Sequence, residues 1–243
     1  MKYAVISDVH ANPVALAAVL AECERLGVER IVCAGDVVGY GPDPAGAIRI
    51  LRERNIPTVL GNHDAIVADL RDDDSMSETA RSAAARHRAE LSAEDIAWLG
   101  SLPLVYDGDG FAVAHAGFNH PERMDYTQDK LSAQESFVRR EEPLLFIGHT
   151  HVEALFAFGI AGDRRYPECL QSEPRDFGLV AGWQYLVNVG SVGYPRVRPY
   201  SGFVIFDDAV RIVRFHRVAF DFDGYKQSFA ARALPFPDWN GRL

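Results

Sequence analysis

The chain has 243 residues, of which 48% are hydrophobic and 24% charged, with a formal net charge of −9 at pH 7. That balance is ordinary for a folded globular protein and excludes a disordered chain, and no apolar run approaches the ~20 residues of a membrane helix. The acidic surplus argues against broad nucleic-acid binding, because tracking a phosphate backbone takes a basic surface.

Met1-Lys2 leads straight into the apolar run Tyr3 to Ser7, so no cleavable signal is expected and a cytoplasmic location is the default. The first 60 residues alternate as βαβ units: a strand from Tyr3 to Ser7, a helix from Pro13 to Leu26, a strand from Arg30 to Ala34, a helix from Pro44 to Arg54 and a strand from Thr58 to Leu60. Asn12 is a good N-cap, Pro13 suits the first helical position, and Leu16, Val19, Leu20 and Cys23 recur at helical spacing before Gly27. Residues 64 to 101 read as two or three helices, the middle one from Thr79 to Leu91 and the last opened by Ser92 with Asp95 three residues on. His87 falls within the middle helix and is expected to face solvent.

After Pro103 the pattern turns to strands. Leu104 to Tyr106 and Phe111 to His115 flank Asp107-Gly108-Asp109-Gly110, a hairpin signal. A helix from Lys130 to Arg140 precedes a strand from Leu144 to Ile147, followed by strands from Val152 to Phe158, Gln184 to Val189, Gly202 to Phe206 and Val210 to Val218, the last two joined at Asp207-Asp208. His216 reads as a structural residue of the final strand, and a closing helix is expected from Tyr225 to Ala233. Gly159 to Gly182 is polar and rich in Gly and Pro, as in a long loop or irregular hairpin. Cys23, Cys33 and Cys169 are odd in number and far apart, which fits buried thiols and neither a disulfide framework nor a zinc-thiolate site. The fold class expected is α/β, with two packed β-sheets flanked by helices in a single domain over residues 1–243.

Five segments carry the chemistry. Asp8-Val9-His10, Gly35-Asp36, Gly61-Asn62-His63-Asp64, His115 and Gly148-His149-Thr150-His151 each follow a predicted strand. If those strands are parallel neighbours, all five meet at one sheet edge, where open α/β sheets place ligands. Singly, each has a plainer explanation in strand termination or turn chemistry. Jointly they offer an oxygen and nitrogen donor set large enough for two divalent ions. His120 competes with His115, but His115 ends the apolar run Phe111 to Ala114 whereas His120 lies in a loop before Pro121.

The pattern Asp-x-His, Gly-Asp, Gly-Asn-His-Asp, His and Gly-His-x-His, complete and in order over residues 8 to 151, resembles that of the calcineurin-like metallophosphoesterases. Asn188-Val189-Gly190-Ser191-Val192-Gly193 resembles a further segment of the small bacterial members, with Val189 where proline is usual. Gly35 to Pro42 and Leu91 to Pro103 are similar to the compact branch that includes phosphodiesterases and dinucleoside polyphosphate hydrolases. The resemblance implies a four-layer α/β/β/α sandwich. It implies that Asp8, His10 and His151 hold one metal, that Asn62, His115 and His149 hold the other, and that Asp36 bridges them. His63 would then be no ligand but a group acting on substrate phosphate and leaving oxygen, with Asp64 orienting it and favouring its protonated form.

Two ions ~3.5 to 4 Å apart share a hydroxide, bring its parent water toward neutral pKa and place it in line with the scissile P–O bond. The donors suit Mn, Fe, Zn, Ni or Co, with Mn the expected activator. For substrate contacts, Arg196 and Arg198 follow the Asn188 to Gly193 segment, Arg164, Arg165 and Arg175 are weaker candidates, and Asn12 and Tyr40 adjoin ligand segments. Asn12 and Arg196 are the residues singled out. The function expected is hydrolysis of a small phosphodiester, phosphomonoester or nucleoside polyphosphate, the partner being a small phosphorylated metabolite or nucleotide. The alternatives are a nuclease of the same fold and a non-catalytic interaction scaffold, and the complete ligand set weighs against the scaffold.

Overall fold

The computed structural model describes residues 1–72, 74, 76–159, 176–195 and 200–236. Its elements in chain order are β1 (Lys2–Ile6), α1 (Pro13–Arg25), β2 (Arg30–Cys33), α2 (Pro44–Glu53), α3 (Asn62–Val67), α4 (Glu78–Glu90), α5 (Ala93–Gly100), β3 (Val105–Asp107), β4 (Ala112–Ala114), α6 (Lys130–Glu135), β5 (Leu144–Ile147), β6 (Ala154–Gly159), β7 (Asp176–Gly178), β8 (Trp183–Asn188), β9 (Tyr200–Asp207), β10 (Ile212–Ala219) and α7 (Phe222–Ala231). The strands form two mixed five-stranded sheets, ordered β2-β1-β9-β10-β7 and β3-β4-β5-β8-β6.

Strand alternation builds the layers. In β1, Tyr3 and Val5 enter a core shared with Phe111, Val113, Leu144 and Phe146 of the second sheet. Ala4 and Ile6 face the other way, onto Leu16, Val19 and Leu20 of α1, Ile48 and Leu51 of α2, and Tyr225 and Phe229 of α7. The second sheet does the same with opposite parity, sending Leu145 and Ile147 against Ala133 of α6 and Phe118. A period of two thus fills both faces of each strand, and the layers run α/β/β/α. No helix among the described residues is long and apolar enough to cross a membrane.

Local signals behave as their chemistry requires. Asn12 Oδ1 accepts from Ala15 N at 3.0 Å and Pro13 opens α1. The Ser92 hydroxyl accepts from Asp95 N at 3.1 Å. Four expectations need correction. Thr58 to Leu60 forms no strand: Thr58 makes an isolated parallel bridge with Cys33, and Leu60 N turns away to Pro103 O. The helix from Lys130 stops at Glu135, because Ser136, Phe137 and Val138 donate three residues back, a tightening that ends an α-helix. The ligand-bearing segments leave two sheets and not one: β1 and β2 are parallel in the first, and β4 and β5 are parallel in the second. The stretch read as a long loop or irregular hairpin contains β7, which pairs with β10, and its residues 160–175 lie outside the described residues, with Cys169, Arg164, Arg165 and Arg175.

The fourth correction is His87, which is fully buried and does not face solvent. The small face of α4, Ala80, Ala83 and Ala84, lets the helix lie close enough for His87 to reach the loop after β2. There Nδ1 accepts from Gly39 N at 3.1 Å and Nε2 donates to Gly41 O at 2.9 Å, partners that define a neutral tautomer. Burial, with the nearby Arg86 charge, pulls its pKa down to about 3. Above the ordinary pKa of 6.5 the ring is neutral folded or unfolded. As pH falls below it the unfolded chain takes up a proton that the folded one refuses, so stability is lost between pH 6.5 and about 3. By pH 5 this group alone removes about 2 kcal/mol. Urea unfolding at pH 7 and pH 5 is expected to show that decline shrinking by this amount in His87→Gln, and equal declines in the two proteins would mean that His87 titrates normally in the fold.

Candidate metal centre

The segments that follow the parallel strands continue to pair beyond the sheet. Asp8 N and His10 N donate to Gly35 O and Asp36 O at 3.0 and 2.9 Å, and Gly148 N donates to His115 O at 2.8 Å. The Asn188 to Gly193 segment ties the two sheets together at this end. Asn188 Nδ2 donates to Gly148 O at 2.6 Å, Ser191 Oγ to Asp8 O at 2.9 Å, and Val192 N to Ser7 O at 2.9 Å. Its role is therefore to clamp the Asp-x-His loop against the Gly-His-x-His loop.

The loops are strained where the donors sit. Asp8, His10, Asp36, His149 and His151 all have left-handed φ, between +48° and +69°. Asp and His tolerate that region better than most residues, but each such residue still costs about 1 to 3 kcal/mol, which the surrounding hydrogen bonds offset. Close approach explains two glycines. A Cβ on Gly148 would strike Ser7 and the Asp8 carboxylate, and one on Gly61 would strike Asp36.

This packing collects two groups of buried ligand atoms, one from Asp8, His10, Asp36 and His151 and one from Asp36, His115 and His149, each group lying within 4.8 Å. Asn62 joins the second group, with Oδ1 3.0 Å from His115 Nε2. Asp36 belongs to both. Its Oδ2 stands 3.4 Å from His115 Nε2 and 3.8 Å from His10 Nε2, while Oδ1 accepts from His63 N at 2.9 Å. Asp8 Oδ1 lies 3.1 Å from His151 Nε2 and Oδ2 accepts from His149 N at 3.0 Å.

The donor set fits a cation. His10 Nδ1 meets Val38 O at 3.0 Å and His115 Nδ1 meets Ala34 O at 2.7 Å, so each Nδ1 carries the proton and each Nε2 presents a lone pair. The His10 Nε2 faces His151 Nε2 at 2.9 Å, and the His115 Nε2 faces His149 Nδ1 at 3.1 Å as well as the Asn62 oxygen. The His115 lone pair facing the Asn62 oxygen sets acceptor against acceptor, which repels unless positive charge lies between them. His149 Nε2 is buried with no hydrogen-bond partner. In the protein alone burial works to lower His115, yet the Asp36 carboxylate outweighs it and raises the ring to about 9, so a bound cation would take the place of the Nε2 proton. Burial opposes ionisation of Asp8 and Asp36 too, and the surrounding histidines nevertheless hold both carboxyls below their ordinary range. Burial takes His149 down to about 3.

The other sequence candidates fall into place around this cluster. His120 is exposed and pairs with Glu122 at 3.2 Å, away from the ligands. Asn12, expected to meet substrate, is wholly buried, and with Oδ1 capping α1 and Nδ2 donating to Gly193 O at 3.1 Å its amide is occupied by the fold. Arg196 and Arg198 lie outside the described residues. His216 is half-buried and stacks on Phe203 at 5.2 Å, as a structural residue does.

His63 stands beside both groups, its ring centre 4.9 Å from that of His10 and its Nδ1 without a hydrogen bond. Asp64 does not orient it. As the third residue of α3, Asp64 reaches back to Gly61 N and across to Val38 N, both at 3.1 Å, so its carboxylate braces two ligand loops. Burial and the neighbouring Asp36 charge raise Asp64 to about 6, and burial lowers His63 to about 3, so the protein by itself favours the neutral imidazole. Tyr194 was not foreseen: its ring stacks on Tyr40 at 4.5 Å, and Tyr40, itself at φ +52°, packs 4.8 Å from both His10 and His63. An isolated tyrosine after a glycine-rich turn carries no pattern that would have found it.

A two-sheet α/β sandwich with this Asp/His/Asn cluster at its strand ends is built as a metal-dependent phosphoric ester hydrolase. The Calcineurin-like phosphoesterase superfamily domain matches residues 1–209, and the chain belongs to that superfamily. Uncharacterized protein MJ0912 of Methanocaldococcus jannaschii is 31% identical over 248 aligned positions, covering 98% of this chain and 95% of its own. The crystal structure of a metallophosphoesterase from Sphaerobacter thermophilus is similar with a TM-score of 0.82 at 33% identity, over 97% of this chain and 95% of that one. A symmetrical bis(5'-nucleosyl)-tetraphosphatase of Vibrio campbellii is 27% identical over 120 residues, 47% of this chain and 43% of its own.

Proposed function

We propose that this protein hydrolyses a small phosphodiester, phosphomonoester or nucleoside polyphosphate at a dinuclear centre, and one observation carries the reading: two buried ligand groups that share Asp36. Asp8, His10 and His151 hold one divalent ion, Asn62, His115 and His149 hold the other, and Asp36 contributes to both. When bound, two such ions supply a nucleophilic water at neutral pH and offset charge on the phosphoryl oxygens. Mn is the proposed activator.

The chain's own residues do the rest. Backbone hydrogen bonds between the loops that carry Asp8, His10, Asp36, His115 and His149 fix where those donors sit, which limits the reorganisation that binding requires. His63 lies next to the ligands without joining them and assists the leaving oxygen. Although neutral in the protein alone, it takes up a proton from solvent as the anionic phosphate approaches and delivers that proton to the departing oxygen. Asp64 keeps the Val38 and Gly61 backbones, and through them the Asp36 and Asn62 loops, in register. A small substrate is favoured by the net charge of −9 and by the nucleotide chemistry in the name of the Vibrio relative.

The test is an assay panel of p-nitrophenyl phosphate, bis-p-nitrophenyl phosphate, cyclic nucleotides and dinucleoside polyphosphates, with Mn, Fe, Zn, Ni or Co added to chelator-stripped protein. Turnover restored by metal and absent without it is expected. Salt-sensitive degradation of duplex DNA with no small substrate turned over would overturn the substrate class. Binding that is restricted to the folded state also stabilises it, so Mn at a hundred times its Kd is expected to raise the unfolding free energy by about 2.7 kcal/mol per site. A chelator-stripped protein whose urea midpoint is indifferent to all five metals would contradict the site itself.

A further inference from the structure

Three side-chain contacts run from α4 to the turn Gly39-Tyr40-Gly41, and all three hold backbone. Gly39 N donates to His87 Nδ1 at 3.1 Å, His87 Nε2 donates to Gly41 O at 2.9 Å, and Arg86 Nη2 donates to the same oxygen at 2.8 Å. Gly39, Gly41 and His87 are all buried, so water does not readily replace either partner. The turn therefore takes its position from the helix.

Its other side meets His63. Gly39, at φ +97°, lies so close that a Cβ there would overlap the His63 ring at Nδ1, Cγ and Cε1. Tyr40 follows at once, with its ring 4.8 Å from that of His63 and stacked on Tyr194 at 4.5 Å. One turn thus confines the imidazole from two directions. His63 Nδ1 is buried with no hydrogen bond, and Asp64 is occupied with Gly61 N and Val38 N, so no polar partner at that nitrogen fixes how the ring is turned. Packing against the turn does. A proton donor has to sit within hydrogen-bond reach of the oxygen it serves, so a small rotation of this ring is felt in the rate.

We propose that His87 is a positioning residue for proton transfer: it holds the Gly39 to Gly41 turn against His63 and so aims the imidazole at the leaving oxygen. The inference rests on the reading of His63 as proton donor given above, and it supplies the orienting group that Asp64 is not.

A double-mutant cycle on Mn-loaded protein tests it, with two esters of one class that differ in leaving group. The pairs are p-nitrophenyl phosphate with glycerol 2-phosphate, or bis-p-nitrophenyl phosphate with a cyclic nucleotide. His87→Leu is similar in size and removes both hydrogen bonds. It is expected to lower kcat for the alkyl ester about 10- to 100-fold, as a misplacement of about 1 Å does, with a smaller loss for the p-nitrophenyl ester. KM and metal content are expected to stay. His87→Asn, whose Oδ1 accepts from Gly39 N in place of the ring nitrogen, is expected to recover most of the loss. In a His63→Ala background His87→Leu is expected to cost nothing further, because substitutions acting through one group do not add. Independently of turnover, the ring-proton NMR signals of His63 in chelator-stripped protein, assigned by their absence in His63→Ala, are expected to shift in His87→Leu at fixed pH.

Equal losses for the two leaving groups, a loss that persists in full without His63, or unmoved His63 signals would overturn the proposal and leave His87 as a support of the fold alone. If His87→Leu does not fold, His87→Gln, which displaces the acceptor from Gly39 N, is carried through the same cycle with the same expectations. If His63→Ala by itself leaves the alkyl ester unaffected, the proton-donor reading fails and this one falls with it, an outcome distinct from a His63 defect that is uncoupled from His87.

Discussion

Asp36→Asn is expected to lower kcat/KM by at least about 10³-fold and to reduce bound metal at both positions, since loss of a mere supporting partner to a ligand already costs ~10- to 100-fold. The reason is placement. Asp36 is shared by the two ligand groups, and its carboxylate faces both His10 and His115. The amide has the same shape but no charge, and a metal position built from lone pairs needs that charge to balance the ion. Folding is expected to survive, because an Asn oxygen still accepts from His63 N, the contact that starts α3. Metal content by mass spectrometry after dialysis, read beside thermal unfolding, separates the two effects. Unsubstituted protein that holds only one ion per chain, or a variant that keeps its full complement, would sink the shared-carboxylate arrangement.

His63→Ala is expected to lower kcat by about 10²- to 10⁴-fold, the range for loss of a general acid, with metal content unchanged. The imidazole stands beside the ligands and not among them, packed edge-on to His10 at 4.9 Å and against Tyr40 at 4.8 Å. Its backbone N–H, which holds Asp36, is untouched by the substitution. His63→Asn fills more of the space and controls for packing; it is expected to lose kcat to a similar degree. A substrate whose leaving group departs without a proton, such as a p-nitrophenyl ester, is expected to suffer less than one with an alkyl leaving group. If His63→Ala strips an ion instead, the imidazole is a ligand and its assigned role is wrong.

The fold was legible wherever a local rule suffices. Pro13 and Asn12 fix the start of α1, the alternation of Tyr3, Ala4, Val5 and Ile6 marks a strand covered on both faces, and Asp107 to Gly110 closes the β3–β4 hairpin. It misled where distant packing decides. Thr58 to Leu60 has strand-like residues, but beyond the Cys33 bridge its backbone is drawn off toward Pro103. His87 sits on a helix of alanine, polar and charged residues, in line with Ala80, Ala83 and Ala84, but alanines alone do not announce that this face will lie against the Gly39 loop.

For the site, the sequence by itself determined which donors are available, because Asp, His and Asn at the ends of apolar runs are a chemical inventory that needs no coordinates. Their partition between two ions came only through resemblance; in the structure β1 and β2 deliver Asp8, His10 and Asp36 from one sheet, β4 and β5 deliver His115, His149 and His151 from the other, and His151 gathers with the Asp8 group across the two sheets. Only the tertiary structure decided what the Asn12 amide nitrogen, Asp64 and the Asn188 to Gly193 segment hold. Their partners lie far along the chain: Asn12 Nδ2 meets Gly193, Asp64 meets Val38 and Ser191 meets Asp8. A side chain's donors and acceptors are set by its residue type, but which of them remain for an ion or a substrate depends on what the fold brings against them.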